Sequence, residues 1–384
     1  MKAKKKKANQ WMRKRVLVFG LLFVCLGGHL TLCRADAWIT VGAVFAKSGE
    51  AAEDNLELLE AVRFAVNEVN ANGGVHGKKI KLMEYDNHST PIQSRLAAKK
   101  AVGDGVVAVI GASWSSHSLA MAPYLQKMKV PMISPDSTHP DVTRTGDYIF
   151  RACFVDSFQG HALARFARDK LNATTAVVVQ NVTSNYSIGL SEIFQKHFTA
   201  RGGNIAAVMN YKFQQTDFQD LLKPVARLDP DLLFVPGHAE SGYIVRQAQI
   251  IGIRAKMLGG DGWPYRQFYA NGGQDLKEGY YSAHWSKDLD TQKTKVFIRG
   301  YEHVYDVTDF AAISYDAAML LFDAIKRAAS ISRSAIRDAL AATKDFDGVT
   351  GKISMDKNGD PLKQVVIMKI TDGRPALLMT IPPD

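Results

Sequence analysis

Short apolar runs and longer stretches with helical spacing take turns along the chain from Ile39 onward. Ile39–Phe45 has the length and content of a strand. Leu58, Leu59, Val62, Ala65, Val66 and Val69 then recur at the spacing that gathers them on one helix face, over about Asn55–Asn70, and Asn72-Gly73-Gly74 ends that helix. The pattern predicts a strand at Lys79–Asp86, a helix at Pro91–Val102, a strand at Val106–Ile110, a helix at Ser116–Met128 and a short strand at Val130–Ile133. Val106–Ile110 shows no polar alternation, as expected of a strand buried on both faces of a parallel sheet.

The alternation then starts again. Helices are predicted at Phe158–Leu171, Ser187–Arg201, Phe218–Leu228 and Ser241–Ile251, interleaved with strands at Thr174–Gln180, Ile205–Tyr211, Asp231–Pro236 and Lys256–Leu258. A strand at Tyr280–His284 precedes helices at Thr291–Tyr305, Ala311–Ala329 and Ser334–Ala342. Near the end, Lys352–Met355 and Gln364–Ile370 read as two strands joined in a hairpin around Asn358-Gly359. Strictly alternating strand and helix predict parallel sheets with right-handed crossovers, here in two α/β layers of similar size. No stretch is rich in Pro or Ser, so the layers are joined by short crossings and not by a flexible linker.

The first 37 residues belong to a different pattern. Lys2–Arg15 is strongly basic, Val16–Gly28 is an apolar run of 13 residues, and Ala35-Asp36-Ala37 is a small-x-small site, which together read as a secretory signal peptide. Thirteen residues fall short of the roughly 20 that a membrane span needs. A start at Met12 would give a more ordinary leader. Cleavage after Ala37 would remove nine of the 48 basic residues and one of the 38 acidic ones, so the formal charge of +10 shrinks to about +2. That near-neutral balance gives no support to nucleic-acid binding. Cys25 and Cys33 fall in the leader and Cys153 is alone, so no internal disulfide is expected. Leu32 stands where a lipoprotein signal wants a small residue, which argues against an anchor at Cys33.

Catalytic signatures are missing from the sequence: there is no Walker loop, no G-x-G-x-x-G, no H-E-x-x-H and no C-x-x-C pair. Gly111-Ala-Ser-Trp-Ser115 has Ser where a nucleophile elbow needs its second Gly. Asp356-Lys-Asn-Gly-Asp360 imitates the start of a calcium loop, but Pro361 and Ile367 stand at the required Gly and Glu, and the segment reads as a turn. No cofactor or metal is expected, nor an enzyme.

What remains is a binding site. Ser113, Ser115 and Ser116 fall in the turn between the Val106–Ile110 strand and the following helix, where open α/β sheets bind ligands and free helical N–H groups favour an anion such as a small carboxylate. The alternative reading, that Ser115 or Ser116 caps the helix, stays open.

Six segments in order, V-V-A-V-I-G-A-S-W-S-S, V-P-M-I-S-P-D-S-T-H-P, F-R-A-C-F-V-D-S-F-Q-G, V-R-Q-A, L-G-G-D-G-W and G-V-T-G-K-I-S-M-D-K-N-G-D, resemble the substrate-binding proteins of branched-chain amino acid ABC transporters over Ile39–Ile370. The resemblance implies a type I periplasmic binding fold: two Rossmann-like α/β lobes joined by three crossings, with a ligand cleft between them. Residues 38–155 with 286–349 would form one lobe, and 156–285 with 350–384 the other, after the signal peptide 1–37. It also implies a periplasmic monomer without chemistry of its own, which captures an amino acid, branched-chain or otherwise hydrophobic, and delivers it to the permease subunits. Family contact positions match Ser116, Ser137, Thr138, Tyr186 and Asp261. Ser115, Ser116, Ser137 and Thr138 would supply donors to the α-carboxylate and Asp261 an acceptor for the ammonium, while Trp114, His117, His238 and Trp263 could line the side-chain pocket. Asp261 is shorter than the Glu of leucine/isoleucine/valine-binding proteins, and His238 stands about where they have Tyr. The alternative function is a sensing module for an amide, urea or aromatic acid, working with a separate effector.

Overall fold

A computed structural model describes residues 38–383; the expected leader and its two cysteines lie outside the described residues. The first sheet has the order β2-β1-β3-β4-β5, from β1 (Trp38–Phe45), β2 (Lys79–Asp86), β3 (Ala108–Gly111), β4 (Met132–Ser134) and β5 (Ile149–Arg151). Its β1–β3, β3–β4 and β4–β5 pairs are parallel. The crossovers carry helices α1 (Ala52–Ala71), α2 (Pro91–Gly103), α3 (Ser115–Lys127) and the single turn α4 (Asp141–Arg144). Thr90 caps α2 by accepting from Gln93 N, with Pro91 at the first helical position, as the sequence pattern requires.

After α5 (Asp156–Asp169) a second sheet forms in the order β14-β13-β10-β9-β8-β6-β7. Strands β6 (Thr175–Asn181), β7 (Asn204–Tyr211), β8 (Leu232–Val235), β9 (Lys256–Gly259) and β10 (Glu278–Ala283) run parallel. Helices α6 (Asn185–Ala200), α7 (Gln219–Leu228), α8 (Ser241–Ile250) and the short α9 (Arg266–Ala270) link them. The chain then returns to the first sheet as α10 (Gln292–Tyr301), α11 (Asp309–Arg327) and α12 (Arg333–Ala341). It forms the small hairpin β11 (Phe346–Gly348)–β12 (Gly351–Ile353), and crosses once more to β13 (Val365–Thr371) and β14 (Arg374–Ile381). These are the three crossings of a two-lobed fold.

Each lobe has its own core. Val41, Ala43 and Phe45 of β1 pack with Leu58 and Val62 of α1 and with Ile313, Ala317 and Leu321 of α11. On the other face Val109 and Met132 meet Ala98 of α2 and Met121 of α3. In the second lobe Val177, Leu233 and Met257 face Val245 of α8, and Val178, Phe234 and Leu258 face Leu163 of α5 and Phe194 of α6. Among the described residues no helix is long and apolar enough to cross a membrane.

The C-terminal hairpin pairs differently from the sequence expectation. Gly351–Ile353 pairs with Phe346–Gly348, and Val365–Thr371 sits between β10 and β14, both antiparallel. The true reversal lies at Asp372-Gly373, both at positive φ, the two-residue turn that Asp-Gly favours. Asn358-Gly359 instead belongs to a turn in which Asp356 Oδ1 accepts from Asn358 N (2.7 Å) and Asp360 N (2.9 Å). Its Asp360 pairs with the buried Arg151 (2.6 Å).

The first lobe is also fastened by charge. Arg63 of α1 donates to both oxygens of Glu84 on β2 (2.7 and 2.8 Å), and that guanidinium, with Lys47, holds the Glu84 carboxyl down at about 2. A folded value below the unfolded one of about 4.3 stabilises the protein above that pH and is lost as pH falls toward 2. Arg63→Met is therefore expected to cost about 1 kcal/mol in urea denaturation near pH 7. The deficit should shrink as the pH approaches 2. A deficit independent of pH would assign the effect to packing of the arginine stem.

Candidate functional site

Neighbouring parallel strands end at one edge of their sheet, so the turns that follow β3 and β4 lie side by side. Gly111, at φ +117°, lets the chain leave β3 where any Cβ would collide with the Val44 carbonyl of β1. The two turns are then stitched together. Ser134 Oγ donates to Ala112 O (2.7 Å), Ser137 Oγ to Ser113 O (2.5 Å), and Ser118 and Ser137 share a hydroxyl bond (2.7 Å). Arg151, fully buried at the end of β5, donates to Ser137 O (2.5 Å) and His139 O (2.9 Å) and holds the second turn from below.

Against this edge the second lobe brings the ends of β6, β8 and β9. The space between the lobes is lined by Ser113, Trp114, Ser115 and Asp136 from the first and by Tyr186, His238, Asp261, Gly262 and Tyr265 from the second, and it has room for about one water molecule. Of the residues expected from the sequence, Ser113, Trp114, Ser115, Tyr186, His238 and Asp261 thus meet at one cavity.

Asp261 is buried between glycines. Its backbone N donates to Gln159 Oε1 (3.1 Å), its Oδ2 lies 3.1 Å from His284 Nε2, and its Oδ1 is buried without a hydrogen-bond partner. The flanking glycines admit the protein itself: a Cβ at Gly260 would collide with Tyr186 Oη, and Gly262 N donates to that same oxygen (3.2 Å). Burial, and then the charge of Asp261, push the Tyr186 phenol well up, so it stays a neutral donor. His238 is clamped between rings, 4.7 Å from Trp114 and 4.8 Å from Tyr186, and burial pulls its pKa down.

The other expected residues have different surroundings. Ser115 opens α3 without capping it; its Oγ accepts from His139 N (3.2 Å) and ties the two turns together. Ser116 is half-buried and stands outside the cavity lining. Ser137 is fully buried with its hydroxyl engaged by the turns, and Thr138 is buried beside Asp156, its carbonyl accepting from Asp156 N (2.9 Å). Trp263 is a core residue, donating to Val235 O (3.0 Å) and stacking on Phe268. His117 is buried outside the lining, and burial lowers it to about 4.

Three contributors were not expected. Asp136 lines the cavity from the first lobe, where its Oδ2 accepts from Ser113 Oγ (3.0 Å) and from Tyr265 Oη (2.9 Å) of the other lobe. Tyr265 also stacks on Phe310 of α11 at 3.9 Å, so one ring spans the cleft. His284 lies in the crossing after β10, where its backbone N donates to Asp309 (3.0 Å) and its ring faces Asp261. The signal for Asp136 was present as a charged residue in the Ser-Pro-Asp-Ser-Thr turn, at a strand end where burial is the rule. Tyr265 and His284 carried no local sign, because their partners are distant in sequence.

In chemical terms the cavity offers the N-terminal N–H groups of α3 and the Ser115 hydroxyl on one side and a carboxylate oxygen without a donor on the other. That polarity fits a ligand that carries an anion and a cation a few ångströms apart.

The comparisons agree with the fold. The family described as "Periplasmic binding protein" matches residues 38–375. The leucine-binding protein LivK of Thermotoga maritima is 32% identical, with a TM-score of 0.86 over 90% of this chain and 99% of its own. LivJ of Streptococcus pneumoniae, a branched-chain amino acid transporter substrate-binding protein solved in complex with isoleucine, is 32% identical, with a TM-score of 0.84 over the same shares. A Leu/Ile/Val-binding protein of Rhizobium johnstonii is 27% identical over 86% of this chain and 90% of its length. The chain belongs to the periplasmic binding protein family, among the substrate-binding proteins of branched-chain amino acid ABC transporters.

Proposed function

We propose that this protein captures an α-amino acid in the cleft, as a single copy in the periplasm, and hands it to the membrane permease of an importer. The observation that carries this reading is Asp261: a buried carboxylate with one oxygen unpartnered, across a closed cavity from the N-terminus of α3 and the Ser115 hydroxyl. An α-ammonium would satisfy that oxygen, and the α-carboxylate would take the donors opposite. Tyr186, through its hydroxyl, and His238, through its ring, would close the wall between them. In this closed state the cavity has room for about one water molecule, so an amino acid enters only when the lobes separate. We take the lobes as residues 38–155 with 286–349 and 156–285 with the C-terminal strands, turning on the three crossings. Because the ligand's two charges are held by different lobes, binding favours closure.

Thermal-shift screening against the common amino acids is the direct test of ligand class. A ligand at 100 times its dissociation constant adds about 2.7 kcal/mol, a shift that is easily read; stabilisation by amides or aromatic acids alone would reject the α-amino acid. For the amino acid so identified, Asp261→Ala should cost about 3 kcal/mol of binding, more than a hundredfold in affinity by calorimetry, since it leaves a desolvated ammonium unpaired. An affinity within threefold of wild type would remove Asp261 from the site. Small-angle scattering should also show a smaller radius of gyration when that amino acid is saturating, and superimposable curves would count against lobe closure.

A further inference from the structure

An α-ammonium needs one carboxylate, and the cavity has two. The second, Asp136, is only 8% exposed, and while its Oδ2 accepts from Ser113 and Tyr265, its Oδ1 is buried without a partner. No part of the turn leans on that oxygen: Ser134 Oγ receives Ser137 N (2.9 Å), and Arg151 holds the carbonyls of Ser137 and His139. A neighbouring cavity of about 440 Å³ shares Trp114 and His238 as walls, and there Glu50, Asp54 and Glu240 contribute three more carboxylates. Asp54 is 2% exposed, and its Oδ1 likewise has no partner. Neither a lysine nor an arginine lines either cavity.

Burial raises Asp136 to about 7, against the pull of His284 and of its two hydroxyl donors. The fold thus engages one oxygen of this buried carboxyl and leaves the other, Oδ1, without a donor. An aliphatic side chain closing over Asp136 would leave Oδ1 desolvated and without a donor, the costly arrangement for a buried polar group. A protonated nitrogen on the ligand's side chain would satisfy it.

We infer that the ligand carries a second cationic nitrogen besides its α-ammonium, received by Asp136, so that the substrate class is a diamino acid of the ornithine or lysine type. This rests on the reading of Asp261 as the α-ammonium acceptor. It makes Asp136 the residue that sets specificity, with Ser113 and Tyr265 fixing its orientation.

Calorimetric titration of the purified protein with ornithine, lysine, glutamine and leucine tests it. At least one of the two diamino acids should bind 100-fold or more tighter than leucine and tighter than glutamine. In Asp136→Asn the ratio of diamino acid to leucine affinity should fall at least 30-fold. Leucine binding as tightly as either diamino acid would overturn the inference and leave amino acid capture standing, and glutamine binding tightest would replace the cation by a neutral donor and overturn it as well. If none of the four binds but the diamine cadaverine does, the α-carboxylate reading fails while the charge reading survives, now without an amino acid. Should the variant not fold, the wild-type series decides by itself.

Discussion

A carboxylate out of water is tolerated only when donors surround it or when a partner is expected, and the cleft of this protein is organised around that condition at Asp261. Its backbone is fixed by Gln159, whose side-chain oxygen also receives Ser282 Oγ (2.7 Å) from β10, and whose amide donates to Asp156 (2.8 Å). Asp156, itself buried, has its pKa driven up by burial and then by the charge of Asp261. The loop is thus held in place by the hydrogen bonds of Gln159, while one oxygen of Asp261 is left without a partner at the cleft. Strand order delivers this loop beside its counterparts: β9 lies between β8 and β10, and all of them run in the same direction.

The fold was legible because parallel strands and their covering helices write opposite periodicities into the sequence. Val106–Ile110 and Asp231–Pro236 could be read as buried strands from composition alone, and the α1 face from its spacing. The misses have physical causes. β5 contributes three residues, Ile149–Arg151, too few for any periodicity to develop. β14 has exposed and half-buried positions along most of its length and is held by pairing to β13, so its apolar content carries little signal. The hairpin was placed at Asn358-Gly359 because that dipeptide favours turns, but β13 pairs on one side with β10, 83 to 93 residues earlier, and pairing at that distance is decided by the sheet.

The site was legible in the same measure. Residues that stand at strand ends in small, polar turns, Ser115 and Asp261 among them, could be picked out because such turns have few other uses. Ser137 was drawn to the ligand by its type and position, whereas its hydroxyl sews two turns together. Asp136, beside it, is the residue of that turn that lines the cavity. Distinguishing adjacent residues of one turn depends on which way each side chain leaves the backbone, and no spacing rule supplies that. Tyr265 needed still more, since its partners Asp136 and Phe310 come from the other lobe.

The chain visits the first lobe, the second, the first again and the second again, and this interleaving bears on how the protein is made. The face of β1 that carries Val41, Ala43 and Phe45 is covered only in part, by Leu58 and Val62 of α1, until Ile313, Ala317 and Leu321 of α11 arrive. The second sheet lacks its antiparallel edge until residues 365–381 are available. Contacts of such long sequence separation must wait for the whole polypeptide, and topology of this kind folds slowly. A ribosome therefore releases most of the chain before the α1–α11 face of the first lobe or the edge of the second can close. The crossings between the lobes also keep the newly made polypeptide loose until its last strands are free.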